Sequence, residues 1–155
     1  MKRLRIYVDT SVFGGCFDEE FAEDSNQFIR TIIRRRDVIL LTELIKLEIE
    51  NAPSVVKNLY SSLSPAIIEN VNLTKEVLEL RDQYLKAKIV GLPAIADATH
   101  IAAATVFKAD VLVSWNFKHI VNFDKIRKYN AVNLMNGYQS LEIRTPKEMI
   151  YYEKN

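Results

Sequence analysis

Three carboxylates stand where the surrounding pattern calls for apolar side chains: Asp9, Glu48 and Asp97. Asp9 closes the apolar, β-branched run at residues 4–8 and precedes Thr10, Ser11 and the pair Gly14-Gly15, so it sits where a strand runs into a turn. A turn or capping role would account for an aspartate there equally well. Glu48 belongs to a helical stretch in which Leu41, Leu44, Ile45, Ile49 and Ala52 share one broad face at 100° per residue, with Glu48 near its middle. Glu43, Lys46 and Glu50 gather on the opposite side. A buried ion pair, or an exposed edge of the apolar stripe, would also explain Glu48. Asp97 lies among Ile95, Ala98, Ile101, Ala102, Ala103, Val106 and Phe107, on a helix apolar almost all round that should be buried. An unpaired carboxylate there would take up a proton, so something cationic should face it: a structural Arg or Lys, or a metal ion.

A further polar set follows the apolar run at 111–115: Ser114 and Asn116 as neutral oxygen donors, then Lys118 and His119. Asn116 also suits a turn or a helix cap. Neither Glu48 nor Asp97 has Lys or Arg four residues away. With a single Cys16 and two histidines in the chain, the donors are hard oxygens, which favour Mg²⁺ or Mn²⁺ over Zn²⁺. An acidic cluster of that kind serves phosphate-ester chemistry, where the ion polarises a phosphoryl oxygen and lowers the pKa of a bound water.

Strands and helices alternate in the pattern that must position these residues. Residues 4–8, 38–41, 111–115 and about 141–143 read as strands. Residues 18–36 begin acidic and end basic, the polarity a helix macrodipole rewards. Thr42 caps a helix to about 51, Pro53 opens one to about 63, and Thr74 caps another through 88 that Gly91 and Pro93 end. Residues 94–109 form an Ala-rich helix, and short helices fill most of the remainder. This alternation predicts an α/β fold of three layers around a mainly parallel sheet, with any ligand beyond the carboxyl ends of the strands.

The segments IYVDTS (Asp9), TELIKLE (Glu48), IADATHIAAA (Asp97) and VSWN (Ser114, Asn116), taken in this order, resemble the PIN-domain family, and the resemblance runs from residue 4 to about 143. It implies a PIN-like three-layer α/β/α sandwich, a single domain over residues 1–155, and a metal-dependent endoribonuclease acting on single-stranded RNA, most often the toxin of a VapBC-like toxin–antitoxin pair. It further implies Mg²⁺ or Mn²⁺ held by residues matching Asp9, Glu48 and Asp97, Asn116 as a fourth site position, a small antitoxin partner and a homodimer. Thr10, Ser114, Lys118 and His119 are candidate substrate contacts. The family often has Asp where this chain has Asn116, and an acid where it has His119. Both departures remove negative charge, leave one well-defined ion, and keep open a catalytically weak scaffold that binds RNA or a partner.

Other residues admit plainer readings. D-x-x-H links Asp97 to His100 at ligand-like spacing, but a partly buried polar residue on a crowded helix explains His100 as well. Arg34, Arg35 and Arg36 suit a solvated helix end. Trp115 and Tyr129 offer base-stacking surfaces or core packing. Phe13, Phe17 and Phe21 offer a dimer or antitoxin contact, or packing of the first loop.

The remaining bounds are broad. The chain has 155 residues, 48% hydrophobic and 26% charged, with a net charge of +1, which excludes disorder and a uniformly basic nucleic-acid coat. The charge is segregated: residues 30–37 and 108–128 each carry +3, and residues 11–29 carry −5. No secretory leader or membrane span is expected, and the cytoplasm is the expected compartment. Neither G-x-x-x-x-G-K nor G-x-G-x-x-G occurs, and Ser11 stands where a haloacid-dehalogenase-like site would want a second aspartate.

Overall fold

The computed structural model describes residues 2–154. Strand β1 (Arg5–Val8) is aliphatic apart from Arg5 and Tyr7 and is buried on both faces, as the centre of a parallel sheet demands. It pairs in parallel with β2 (Val38–Leu41) on one side and with β4 (Val111–Val113) on the other. Strands β3 (Ile68–Asn70) and β5 (Ile143–Arg144) extend the sheet to the order β3-β2-β1-β4-β5, parallel throughout. The chain builds one half of the sheet, returns across β1 and builds the other. That reversal opens a crevice between the carboxyl ends of β1 and β4, where α/β sheets bind ligands.

Eight α-helices cover the two faces among the described residues, giving the expected three-layer α/β/α sandwich. They are α1 (Thr10–Gly15), α2 (Ala22–Arg35), α3 (Glu43–Glu50), α4 (Ser54–Ser61), α5 (Lys75–Lys86), α6 (Ile95–Val106), α7 (Phe123–Met135) and α8 (Pro146–Lys154). Thr42 and Thr74 cap α3 and α5 as expected, their hydroxyls accepting from the N–H of Ile45 and Val77. Helix α5 packs along α6, and α2 along α8. Tyr84 donates to Asn133, whose amide donates to Thr105, so one buried polar chain ties α5, α7 and α6. No helix among the described residues is long and apolar enough to cross a membrane.

Five local expectations are corrected. Residues 10–15 form a helix instead of a turn. Strand β3 carries no pattern to read, since Ile-Glu-Asn is short, half polar and at the sheet edge, where charge and brevity are the rule. Residues 123–135 make one continuous helix capped by Asn122, and the last strand lies at Ile143–Arg144. Helix α5 stops at Lys86, before Gly91, because Lys88 adopts the left-handed conformation at φ 58°.

Gly15 is the position where a side chain is excluded. A Cβ there would lie 2.6 Å from Ser25 Oγ and 2.9 Å from the indole of Trp115. Trp115 donates through Nε1 to Ser25 Oγ at 2.8 Å and stacks on Phe21 with ring centroids 4.4 Å apart. Gly15→Ala is therefore expected to cost about 1–3 kcal/mol of unfolding free energy. Urea titration followed by the emission of Trp115, the chain's single tryptophan, measures it, and an unchanged midpoint and spectrum would contradict this packing.

Candidate functional site

Asp9 follows β1 directly, and its N–H donates to Val113 of β4 at 3.0 Å. It occupies the position before α1, but its carboxylate does not cap that helix. Oδ2 instead accepts from Ser11 Oγ at 2.8 Å and from Ser114 Oγ at 2.7 Å. These hydroxyls are themselves fixed: Ser11 Oγ accepts from the N–H of Trp115, and Ser114 Oγ from the N–H of Asn116. The turn or cap reading of Asp9 thus fails on its side chain, which is 7% exposed and leaves Oδ1 facing His100 Nε2 at 3.9 Å.

Glu48 projects from α3 and is half-buried between Ile45 and Ile49. Its Oε1 accepts from Thr10 Oγ1 at 2.7 Å, and both its oxygens lie about 3 Å from His100 Nε2, at 3.0 and 3.1 Å. His100 is fully buried, which corrects the partly buried reading, and its Nδ1 lies 2.6 Å from Tyr7 Oη. Tyr7 Oη in turn lies 3.2 Å from Thr42 Oγ1. Because Nε2 faces only carboxylate oxygens, that nitrogen carries a hydrogen and donates it. Burial alone would push the Glu48 carboxyl up; the hydrogen bond and charge of His100, with the Thr10 hydroxyl, hold it below its ordinary range. Burial likewise works to lower the His100 imidazole, yet Glu48, Asp9 and Asp97 together hold it above its ordinary value.

Asp97 lies in the first turn of α6 and is half-buried, not enclosed as the apolar pattern predicts. The helix dives into the core only from Ala98 onward, so its opening turn reaches the crevice. The group facing Asp97 is neither Arg nor Lys but the amide of Asn116, whose Nδ2 donates to Oδ1 at 3.1 Å. Burial first, and then the charge of Asp9, push the Asp97 carboxyl up against the opposing pull of His100, His119 and Asn116.

Asn116 is a bracket. While Nδ2 holds Asp97, Oδ1 accepts from the N–H groups of Lys118 at 3.2 Å and His119 at 2.9 Å, which fixes the orientation of the amide. Lys118 is exposed, and His119 is half-buried with Nδ1 3.1 Å from Lys125 Nζ. Among the candidate substrate contacts, Thr10 and Ser114 therefore spend their hydroxyls on Glu48 and Asp9, whereas the Lys118 side chain is exposed and the His119 ring contacts Lys125. Tyr129 is fully buried, its hydroxyl donating to the His119 carbonyl at 2.8 Å, so it cannot stack a base. Phe13 packs in the core, while Phe17 and Phe117 are about half exposed, at 51% and 50%.

Ligand-capable atoms of Asp9, Glu48 and His100 lie within 4.8 Å of one another, and Asp97 is close enough for the charge of Asp9 to raise its carboxyl. The residues fit a hard divalent cation: Asp9 Oδ1 and Asp97 Oδ2 accept no hydrogen bond from the described residues, and both belong to carboxylates whose other oxygen is held in place. Sequence reasoning missed Tyr7, Ser11 and Thr42 as parts of this site. The available signals were a tyrosine in an otherwise aliphatic strand and a histidine on an otherwise apolar helix face.

No protein-family model matches the chain, and no curated protein sequence matches it. Among solved structures it is similar to a chain in the crystal structure of VapBC2 from Rickettsia felis bound to a DNA fragment from their promoter. The TM-score is 0.58, over 92% of this chain and 98% of that one, at 10% sequence identity. At that identity the likeness is one of fold.

The Asn116 bracket has a measurable signature. Asn116→Asp removes the donor to Asp97 and sets a second carboxylate against it, with an expected cost of about 1–3 kcal/mol in chelator. Added Mn²⁺ should recover part of that loss by binding the folded state. Chemical denaturation with and without Mn²⁺ reads both effects.

Proposed function

We propose that this protein is a metal-dependent endoribonuclease, a PIN-like hydrolase of single-stranded RNA that serves as the toxin of a toxin–antitoxin pair. The observation that carries the reading is the approach of Asp9 and Glu48 around His100 at the sheet's switch point, with Asp97 close enough to respond to the Asp9 charge and with Asp9 and Asp97 each keeping one oxygen free of hydrogen bonds from the described residues. The likeness of the fold to a chain of a VapBC2 complex supports the family-level part, including a small antitoxin partner.

Asp9 and Asp97 would hold Mg²⁺ or Mn²⁺, with Glu48 alongside. When bound, the ion supplies Lewis acidity at the phosphodiester and a water acidic enough to attack phosphorus. Asp9 is kept in one rotamer by Ser11 and Ser114, so its free oxygen is preorganised. Glu48, held below its ordinary range by its contact with His100, would accept a hydrogen bond from the attacking water and orient it toward the phosphorus. Lys118 and His119 meet the charge of the RNA backbone. The half-exposed Phe117 ring, packed against Phe21 and Trp115, gives a base a face to stack on, which an unpaired strand can use. The reading includes a homodimer and action in the cytoplasm.

A second reading rests on Asn116. Its oxygen is committed to two backbone N–H groups, so the site carries three acids, and a PIN-like scaffold that holds RNA or a partner without cutting it would need no more.

Incubating the protein with single-stranded RNA and Mn²⁺ beside Asp9→Asn and Asp97→Asn separates the two. Cleavage is expected, with a loss of roughly 100-fold or more in either variant. Equal cleavage by all three would refute the mechanism, and RNA binding without cleavage by the unaltered chain would establish the scaffold.

A further inference from the structure

A second feature opens beside the carboxylates and has the opposite sign. Between the end of α5 and the loop that follows β4 lies a cavity of about 620 Å³, lined by Lys86, Lys88, Gly91, Leu92, His119 and Lys125 among others. No carboxylate lines it. We propose that this recess binds a backbone phosphate of a single-stranded RNA next to, rather than at, the bond that is cut. The proposal rests on the reading of the protein as an RNA-acting enzyme.

Charge is the first support. Helix α5 ends here, and one base answers the negative end of its macrodipole, a role Lys86 fills in the last turn. Lys88 and Lys125 are in excess of that need. Lys86, Lys88 and Lys125 form no ion pair with a carboxylate among the described residues, in contrast to Lys2, Lys75 and Arg5, which pair with Asp110, Glu79 and Glu69. The left-handed Lys88 turns the chain back, so that two lysines of one short connection line the same recess.

Hydrogen bonding is the second. Lys125 Nζ lies 3.1 Å from His119 Nδ1 and donates to the Lys118 carbonyl at 2.9 Å. An ammonium group only donates, so Nδ1 of His119 accepts and Nε2 bears the hydrogen. The recess therefore presents an imidazole N–H donor beside ammonium groups, a set that suits a phosphate oxygen and not a cation or an apolar ligand.

Continuity is the third. Asp97 binds the Asn116 amide, Asn116 binds the His119 backbone, and the His119 ring contacts Lys125. A short bonded chain thus joins carboxylate site and recess at a fixed spacing, and a strand lying in the crevice would pass from one to the other. Leu92, 72% exposed on the rim, is the feature that a protein partner could use instead.

The test compares the full chain with Lys86→Ala/Lys88→Ala and with Lys125→Gln, each checked for an unchanged unfolding midpoint. With a labelled single-stranded RNA in Ca²⁺, read by anisotropy, each lost lysine should lower the salt slope of binding by about 1. In Mn²⁺, KM for that RNA should rise by about tenfold while kcat holds within about twofold. A dinucleotide, too short to reach the recess, should be cleaved alike by all forms. Unchanged RNA affinity and salt slope in both variants would overturn the proposal, as would an equal loss on the dinucleotide. Failure of the unaltered chain to bind RNA would overturn it too. Should the chain bind RNA without cutting it, the nuclease reading fails while the anisotropy arm still decides the recess.

Discussion

A negative charge held almost out of water at the point where the sheet reverses direction is the constraint on which the rest depends. Burying a carboxylate is expensive unless hydrogen bonds replace its hydration. Asp9 meets that demand with one oxygen only, through serine hydroxyls from the first turn of α1 and from the segment after β4, and keeps the other for the crevice. The arrangement requires β1 and β4 to be neighbours, so that the segment after each strand can reach the same carboxylate. It also requires Trp115 to pack close against Gly15, because Ser11 reaches Asp9 while accepting from the Trp115 N–H. The strand order, a glycine and two serines are thereby parts of one device.

The second carboxylate is handled differently. Glu48 lies beside a fully buried histidine, and burial penalises both charges. Their mutual contact outweighs that penalty, holding the glutamate below and the histidine above its ordinary range. Behind His100 stand Tyr7 and Thr42, which connect the interior of β1 and the cap of α3 to the crevice. The same threonine that starts α3 thus helps to orient the glutamate one and a half turns later.

Much of this was legible in the sequence, because acids in apolar surroundings are conspicuous. Asp9, Glu48 and Asp97 could be singled out by periodicity, and the caps Thr42 and Thr74 by residue type. The polar partners could not. Ser11, Thr10 and Ser114 look like ordinary turn residues, and His100 like an accommodated core histidine, until the fold brings residues some 40 to 105 positions apart into contact. Periodicity also overstated the burial of Asp97, since it describes the face of a helix and not the point along its length where the core begins. Strand β3 escaped because three residues set no period. The overall charge of +1 said little; its arrangement, acids inside and unpaired lysines beside them, emerges only from the folded chain.

The pairing of β1 with β4 has a consequence during synthesis. Asp9 is made ahead of Ser114, which follows 105 positions later, a delay of roughly 5–20 seconds at ordinary elongation rates. Until then Asp9 has one of its two hydroxyl partners, and neither the crevice nor the Asn116 bracket exists. A partially made chain carries the carboxylates without the geometry that would make them act. The wait for β4 is a timer written into the topology: the parts of the site are made well before the site itself.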